Sequence, residues 1–282
     1  MPTLTNVHAL PAAIVAAVQN DPYTGGGDIS VTKLIDAPQR RVLWAKHHDN
    51  IVEDVSERIW ALLGQAVHHI LERAETGAKV EERLFAEVEG WVLSGQFDRL
   101  HLGDKTLQDY KVTTVYKKDG SETWTQQLNV LRWLAFQNGY EVDHLEIVAI
   151  FRDWRKTDAD RKSDYPPAAV HVIPVETWPL DVTEVFIKDR IHKHQAARGG
   201  MFTPCTAEER WYSGTKYAVI KPGNKKAYRV WDETPPAEEI PEGFVVQERP
   251  GEFKRCQHYC DVAAFCPQWQ AERQEADHAV DP

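Results

Sequence analysis

Apolar residues recur along the chain in spacings that alternate between helix and strand. Helical spacing is found over 52–75 and over 122–138, and shorter apolar runs lie between these two segments. Glu89-Gly90 and Gly103-Asp104 separate the shorter runs and indicate turns. The predicted elements are a helix at 52–75, strands at 82–88, 92–101 and 106–113, a helix at 122–138 and a strand at 144–151. This αβββαβ order predicts an α/β core whose mixed sheet ends in a parallel pair joined by a helical crossover.

Weaker patterns flank this core. They predict a short helix at 10–18, a charged loop at 152–167, a strand at 169–175, a helix at 180–198 and a hairpin of 216–220 with 227–231. We divide the chain into an N-terminal helical and extended segment packing on the core at 1–50, the core at 51–200, a cysteine-rich C-terminal subdomain at 201–270 and a flexible tail at 271–282.

Length and composition place the chain among globular proteins of ordinary core size. The 282 residues can bury a sizeable core, and no apolar run approaches the roughly 20 residues that span a membrane. The N-terminus lacks the basic lead of a secretory signal, so we expect a cytoplasmic protein that does not bind membranes.

Charge gives a mixed indication about nucleic acid. The net charge of -10 argues mildly against DNA binding, because neutralised phosphates supply most nonspecific affinity. Basic residues nevertheless cluster locally, in several places among aromatics, as in strand-binding grooves. Each cluster alone is more typical of an ordinary surface; the clusters are 39–41, 116–118, 152–156 and 221–226.

The predicted hairpin around Gly103-Asp104 carries the first candidate chemistry. Asp109 and Lys111 are two apart on a strand and project to one face, and a turn centred there places Asp98 opposite Asp109. Two neighbouring carboxylates repel each other unless a cation lies between them, and a lysine beside them can orient water. A lone Asp-x-Lys is usually a solvated strand face, but this cluster has the minimal equipment for metal-assisted phosphodiester hydrolysis.

The helix upstream strengthens that interpretation. Gly64, His68 and Glu72 recur at intervals of four and share one helical face. We expect Gly64 to admit a closely approaching backbone and His68 to reach the carboxylates as a neutral imidazole ligand. His69 points about 100° away along the helix and is expected to have no chemical role. Glu72 is either a hydrogen-bond partner of His68 or simply solvated.

These motifs resemble the PD-(D/E)XK nuclease superfamily in its RecB-like branch, and a group of phage exonucleases related to the CRISPR-associated exonucleases. The resemblance covers about 29–150, and its order and spacing are more specific than its single motifs. The matching pieces are Gly64 with His68, Asp98, Asp109-Tyr110-Lys111, the helical pair Gln126-Gln127 and the opening phrase 29–38.

The resemblance implies a restriction-endonuclease-like αβββαβ core and a set of site roles. Mg²⁺ or Mn²⁺ would be held by three side chains and a backbone carbonyl, those of His68, Asp98, Asp109 and Tyr110. Lys111 would position or help deprotonate the attacking water. Gln127 would contact metal-bound water or the DNA backbone.

Four cysteines lie in the C-terminal third, at Cys205, Cys256, Cys260 and Cys266. Cytosolic proteins seldom keep disulfides, so this clustering favours zinc or an iron–sulfur cluster over a disulfide framework. Reduced structural thiols stay open as a third interpretation. The pattern of one distant cysteine and a C-terminal trio resembles the tails of RecB-like exonucleases, which implies a [4Fe–4S] cluster with a structural role.

The resulting functional hypothesis is a metal-dependent DNA exonuclease in phage or prophage recombination or DNA processing, acting in bacterial or phage-infected cytosol. Its partners would be single-stranded DNA or duplex ends and a phage single-strand-annealing protein; self-assembly stays open. Two alternatives remain: a DNA-binding or adaptor protein of nuclease ancestry with little activity, and a site-specific endonuclease of the same superfamily.

Overall fold

Strands and short helices alternate through the computed structural model, which describes residues 2–20, 25–74 and 76–280. The strands are β1 Thr3–Thr5, β2 Ile29–Ser30, β3 Val52–Asp54, β4 Lys79–Val80, β5 Arg83–Val88, β6 Trp91–Gln96, β7 Arg99–His101, β8 Thr106–Thr113, β9 His144–Phe151, β10 Val170–Val175, β11 Lys216–Ile220, β12 Arg229–Trp231 and β13 Val245–Arg249. The helices are α1 Ala12–Gln19, α2 Val31–Leu34, α3 Pro38–His47, α4 Ile59–Glu72, α5 Glu122–Gln137, α6 Lys156–Ala159, α7 Leu180–Arg198 and α8 Pro267–Val280.

Parts of the predicted segments lie outside the described residues. They are residues 1 and 21–24 of the N-terminal segment, residue 75 of the first core helix and residues 281–282 of the tail.

The chain divides into two compact units. The first unit comprises Met1–Arg41 and His48–Phe202, and the second unit comprises Val42–His47 and Thr203–Pro282. The candidate carboxylate site lies in the first unit and the four cysteines lie in the second.

A five-stranded mixed sheet organises the first unit, in the order β10-β9-β8-β7-β4. β8 and β9 are parallel over eight residue pairs, from Thr106 opposite His144 to Thr113 opposite Phe151. α5 makes the crossover between them, as parallel neighbours require. The other strand pairs of this sheet are antiparallel. The predicted α/β class, the mixed sheet and its parallel pair are confirmed.

α5 packs on this sheet and on a second one, β2-β6-β5. Its leucines Leu128, Leu131 and Leu134 are almost completely buried. Gly95 on β6 lies directly beneath two of them: a Cβ there would come within 2.6 Å of Leu131 Cδ2 and 2.8 Å of Leu134 Cδ1. A residue with a Cβ would displace these buried leucine side chains, because real Cβ contacts are essentially never shorter than 3 Å.

The first predicted helix, at 52–75, is wrong at its beginning. Residues Val52–Asp54 form β3, paired in parallel with β1, and a 3₁₀ turn at Val55–Arg58 precedes α4. Asp54 stops the extended segment, since its carboxylate accepts hydrogen bonds from the Ser56 N–H at 3.0 Å and the Val7 N–H at 2.9 Å. The pairing with β1 spans some fifty residues, which explains why local spacing does not indicate it.

The predicted strand at 92–101 is also wrong in one respect. It is broken between β6 and β7, which belong to different sheets. Phe97 is buried at the break, and the Asp98 carboxylate takes a hydrogen bond from the Tyr110 N–H at 2.6 Å. A side chain thus replaces the backbone acceptor that a continuous strand would present. Asp98 lies between two sheets rather than on one strand of one sheet.

The segment 152–167, predicted as a loop, contains the short helix α6. The predicted hairpin of the second unit is confirmed: β11 pairs antiparallel with β12, and β13 completes a three-stranded sheet. His47 stacks on Phe265 in this unit, with ring centroids 4.4 Å apart.

Within the described residues, no helix has the length and apolar character needed to cross a membrane.

The two glycines Gly95 and Gly64 should respond oppositely to alanine. Gly95→Ala should lower the free energy of unfolding by about 1–3 kcal/mol, because the added methyl overlaps α5. Gly64 lies on α4 with no described atom near its Cβ position. Gly64→Ala should therefore raise the free energy of unfolding by up to about 1 kcal/mol, because alanine has the higher helix propensity. Chemical denaturation of both variants measures the difference, and a neutral Gly95→Ala would contradict the packing described.

A buried histidine makes stability depend on pH. His194 on α7 is 4% exposed and donates from Nε2 to the Leu34 carbonyl at 3.0 Å. Burial lowers its pKa below the usual 6.5, so the unfolded chain binds a proton that the folded chain does not. The stability contributed by neutral His194 is therefore fully present above pH 6.5 and is lost as the pH falls through the lower folded pKa.

His194→Gln keeps an N–H donor for Leu34 but does not titrate. Between about pH 7.5 and about pH 5, its free energy of unfolding should fall less than that of the wild type in urea denaturation. Other titrating groups are common to both proteins and cancel in the difference. Identical pH profiles would mean that His194 is protonated equally in the folded and unfolded states.

Candidate functional site

Five segments of the first unit converge on one cluster of polar side chains. α4 contributes His68, the turn between β4 and β5 contributes Glu81, and the break between β6 and β7 contributes Asp98. β8 contributes Asp109, Tyr110 and Lys111, and α5 contributes Gln127. All predicted residues of the carboxylate site are thus brought together.

Asp98 anchors the cluster. It is 8% exposed, and its Oδ2 accepts the Tyr110 N–H while its Oδ1 lies 3.3 Å from His68 Nδ1. The pairing of β7 with β8 matches Arg99 to Gln108, so extending it by one residue sets Asp98 opposite Asp109. The predicted juxtaposition of the two carboxylates is present, although Asp98 itself stands at a strand break.

His68 bridges the carboxylates and the backbone of β8. Its Nδ1 lies 3.8 Å from Glu81 Oε1, and its Nε2 lies 3.1 Å from the Tyr110 carbonyl oxygen. Asp98, and after it Glu81, stabilises the protonated ring and raises the pKa of His68 to about 10. Without a metal the ring is therefore an imidazolium that donates from both nitrogens, and a metal would compete with a proton for it.

Asp109 is the most deeply buried carboxylate of the site, at 2% exposure. Its Oδ2 lies 2.6 Å from Lys111 Nζ, and its Oδ1 accepts a hydrogen bond from Gln127 Nε2 at 2.8 Å. Burial raises the pKa of Asp109 above its usual 3.8, against the opposing effect of the Lys111 ammonium. Apart from that ion pair, Asp109 Oδ2 receives no hydrogen bond from the described residues.

Glu81 is a site residue that the sequence patterns did not indicate. His68, Glu81 and Asp98 each offer a ligand atom, and these three atoms lie within 4.8 Å of one another. Imidazole nitrogen and carboxylate oxygens at this spacing can hold a divalent cation such as Mg²⁺ or Mn²⁺. The Tyr110 carbonyl faces the same cluster through His68, whereas both oxygens of Asp109 are engaged by Lys111 and Gln127.

Glu81 is held in place by its backbone and by a side-chain relay. Its φ of 49° lies in the left-handed region, which costs a non-glycine residue about 1–3 kcal/mol and is typical of functional sites. Gln96 Nε2 donates to Glu81 Oε2 at 2.5 Å, and Arg83 donates to Gln96 Oε1 at 2.7 Å. The signal in the sequence is only an acidic pair before a strand, so the left-handed turn requires the tertiary structure.

A buried arginine fixes the end of α4 that carries His68. Arg99 on β7 is 3% exposed and donates to the Leu71 carbonyl at 2.7 Å and the Ala74 carbonyl at 3.3 Å. The Leu71 carbonyl also accepts the Ala74 N–H at 3.1 Å, so the guanidinium reinforces the turn that ends α4. Arg99 therefore ties α4 to the strand that begins directly after Asp98.

The cluster opens into a cleft of about 650 Å³. Its lining includes Gly64, Gln65, His69, Glu72, Arg83 and Gln96. The expected close backbone contact at Gly64 is wrong, because a Cβ there would meet open space. The Glu72 carboxylate lies 3.5 Å from His69 Nδ1, so of the two roles considered for Glu72 the pairing with His68 is not formed.

The four cysteines converge in the second unit and form no disulfide. Burial raises the pKa of the Cys205 thiol to about 12, and negative charge on Glu209 and on the other three cysteines adds to the rise. Gln268 at the start of α8 holds Cys205 in place, accepting its N–H at 2.9 Å and donating to its carbonyl at 3.0 Å. This double contact brings Cys205 beside the C-terminal trio.

Arg210 is a second residue that sequence patterns missed. It is 5% exposed, and its Nε donates to Cys256 Sγ at 3.4 Å while its other nitrogens bind Glu272. Its guanidinium also lies 3.5 Å from the centroid of the Phe253 ring. Arg210 thus connects the Cys256 sulfur to Glu272 on α8.

No protein-family model and no curated protein matches this sequence. Among solved structures, SSO0001 shares 16% identity at a TM-score of 0.45, over 64% of this chain and 83% of its own. A "Putative exonuclease" from Eubacterium rectale shares 15% identity at a TM-score of 0.33, over 52% of this chain and 58% of its own. At these scores the likeness says nothing about the activity of this chain.

Replacing Glu81 should weaken metal binding selectively. Glu81→Gln removes one anionic oxygen ligand from the cluster, so Mn²⁺ affinity measured by calorimetry should fall more than about tenfold. The neighbouring Glu82 binds the Tyr140 hydroxyl at 2.7 Å and Lys79 at 3.0 Å, so Glu82→Gln is the matched control and should change affinity less than about twofold. Equal losses in both variants would place the metal elsewhere.

Proposed function

We propose that this chain is a metal-dependent deoxyribonuclease with a PD-(D/E)XK-type core that hydrolyses DNA from its ends. The observation that carries the proposal is the arrangement of two carboxylates and a histidine, Glu81, Asp98 and His68, beside the Asp109–Lys111 pair. A metal-ligand cluster next to a lysine on a neighbouring strand supplies both requirements of phosphodiester hydrolysis: neutralisation of charge and a positioned water.

The donor set fits a hard divalent cation. His68, Glu81 and Asp98 would hold Mg²⁺ or Mn²⁺, with the Tyr110 carbonyl as a further oxygen donor. Bound there, the cation supplies stabilisation for the negative charge that develops on the phosphate oxygens. The spacing supports this assignment, since the ligand atoms of Glu81 and Asp98 place two carboxylate oxygens beside an imidazole nitrogen, and neighbouring carboxylates favour a cation between them.

Lys111 and Asp109 would handle the attacking water. The Lys111 ammonium can donate hydrogen bonds only, so it holds a water or phosphate oxygen and stabilises negative charge there. Asp109 keeps that ammonium oriented through the 2.6 Å contact, and Gln127 fixes the other oxygen of Asp109. In hydrolysis the water oxygen bonds to phosphorus and the water gives up a proton, while the bond from phosphorus to one sugar oxygen breaks and that oxygen takes up a proton.

We propose further that the four cysteines hold a [4Fe–4S] cluster, which cross-links distant parts of the second unit. Four thiols and the Arg210 donor to Cys256 suit a thiolate-ligated cluster. The choice of the larger cluster over tetrahedral zinc rests on the sequence pattern of one distant cysteine followed by a C-terminal trio, which resembles the tails of RecB-like exonucleases.

Action at DNA ends is the part of the proposal that depends on the cysteine tail, because that pattern resembles exonucleases rather than site-specific endonucleases. A phage single-strand-annealing protein would be a fitting partner in recombination. Digestion of end-labelled single-stranded, linear duplex and closed circular DNA with Mg²⁺, Mn²⁺ or chelator tests the proposal. Cleavage of closed circles would favour the endonuclease, and no cleavage of any substrate would favour an adaptor without activity.

Lys111→Ala and Asp109→Ala should each lower the cleavage rate by about 10²–10⁴-fold. Because each change also breaks the buried ion pair, some loss of stability is expected, and the rates are compared at a temperature at which thermal unfolding shows that both variants are folded. His68→Ala should cause a comparable loss because it removes a ligand, whereas the adjacent His69→Ala is the matched control and should be mild. Single-turnover digestion measures all four. Full activity in Lys111→Ala would remove the basis of the assignment.

Purified anaerobically, the protein should absorb broadly near about 400 nm and contain about four irons per chain. Changing any one of Cys205, Cys256, Cys260 or Cys266 to Ser should release the iron and make the chain protease-sensitive beyond about residue 200. His258 lies inside the trio but has no assigned ligand role, so His258→Ala should keep its iron. One zinc per chain would contradict the iron–sulfur cluster but support a metal that cross-links the second unit. Four reactive thiols without metal would contradict both.

A further inference from the structure

An exposed tryptophan lies at the edge of the candidate active site with a cation on its ring. Trp60, near the start of α4, is 56% exposed, and the Arg152 guanidinium lies 3.8 Å from its ring centroid. Arg152 follows β9 directly and is itself exposed. A large aromatic held on the surface by a cation offers a flat, polarised face rather than a contribution to the core.

Several cations that have no direct carboxylate partner in the described part of the chain lie in the segments beside this pair, where Asp153 is engaged by the Val115 N–H. Among the residues that the structure describes, no carboxylate forms an ion pair with Arg152, Arg155, Lys156 or Lys117, whereas nearby Lys118 pairs with Asp119. Arg152, Arg155 and Lys156 are exposed. In a chain with a net charge of -10, such a group concentrates positive potential at one place, which is complementary to phosphates.

Backbone contacts join these residues to the end of the site strand. The Arg152 N–H donates to the Thr113 carbonyl at 2.9 Å, and the Val115 N–H donates to Asp153 Oδ1 at 2.8 Å. The segment with Tyr116, which is 88% exposed, and the segment with Arg152 are thereby fixed at the same end of β8 and β9.

The catalytic cluster is close to this end. Lys111 precedes Thr113 by two strand residues, about 7 Å. Trp60 precedes His68 by eight helical residues, about 12 Å along the axis of α4, and the next residue, Ala61, lines the cleft. The basic, aromatic surface therefore borders the cleft.

We propose that Trp60, Tyr116, Lys117 and Arg152 form a track that binds a single-stranded DNA segment leading into the active site. Bases stack on the exposed rings, and phosphates contact the unpaired cations. Stacking requires unpaired bases, so this surface selects single strands over duplex. The 12 Å along α4 corresponds to about three to four stacked nucleotides between Trp60 and His68. This inference rests on the proposed nuclease function for its substrate class.

Binding measured without metal tests the track separately from catalysis. Fluorescence anisotropy with labelled oligo-dT in chelator should show about tenfold weaker binding for Trp60→Ala and for Arg152→Ala, while Trp60→Phe keeps a ring and most of the affinity. Binding of blunt duplex should change less than about twofold. Thermal unfolding of each variant checks that the fold is intact.

The Arg229–Trp231 pair is the matched control. Its guanidinium also lies 3.8 Å from the ring centroid, but Arg229 is paired with Glu239 at 2.9 Å. Trp231→Ala and Arg229→Ala should leave oligo-dT binding unchanged. Unaltered binding in folded Trp60→Ala, or an equal loss with duplex, would overturn the track even if the protein cleaves DNA. A Trp60-dependent loss in a protein that cleaves nothing would support the track and reject the nuclease.

Discussion

The burial of two carboxylates in one place is the constraint on which the first unit depends. Asp98 and Asp109 are 8% and 2% exposed, and a buried charge without partners is too costly to persist. Asp98 therefore recruits the Tyr110 N–H and His68, and Asp109 recruits the lysine two residues along its own strand. Meeting these demands fixes the break between β6 and β7 and the approach of α4 to β8.

The same constraint explains why the site is organised before any substrate arrives. Gln127 comes from the crossover helix α5, whose position is set by leucines packed over Gly95. The core and the carboxylate cluster are thus connected through one helix, so a packing error there would displace a polar contact at the site. Arg99, which ties the end of α4 to β7, has the same effect from the other side.

An element of the fold could be predicted from the sequence when the interactions that determine it lie between residues close together in the chain. The strand at 144–151 and the helix at 180–198 have the bounds given by their apolar patterns, since their burial follows a regular spacing. β3, the strand break at Asp98 and the turn at Glu81 depend on partners distant in the sequence. Periodicity contains no information about such contacts.

The two glycines Gly64 and Gly95 show how little of a residue's surroundings can be predicted from the sequence. Gly64 was expected to admit a close backbone and instead faces the open cleft, whereas Gly95 lies beneath two leucines with no space for a methyl group. The local sequence predicts whether each glycine lies in a helix or a strand, but it does not predict which residues pack against it. By contrast, the convergence of Asp98, Asp109 and Lys111 followed from strand alternation and hairpin register, which are local rules.

The double hydrogen bond between Gln268 and Cys205 has a consequence for biosynthesis. A ribosome delivers Cys205 first and its partners 51 to 61 residues later (256 − 205 and 266 − 205), which at about 5–20 residues per second means an interval of roughly 3–12 seconds. During that interval the Cys205 thiol has neither Gln268 nor the cysteine trio beside it. The second unit must therefore close after translation has passed α8, whereas the carboxylate site, complete by Gln127, can assemble well before.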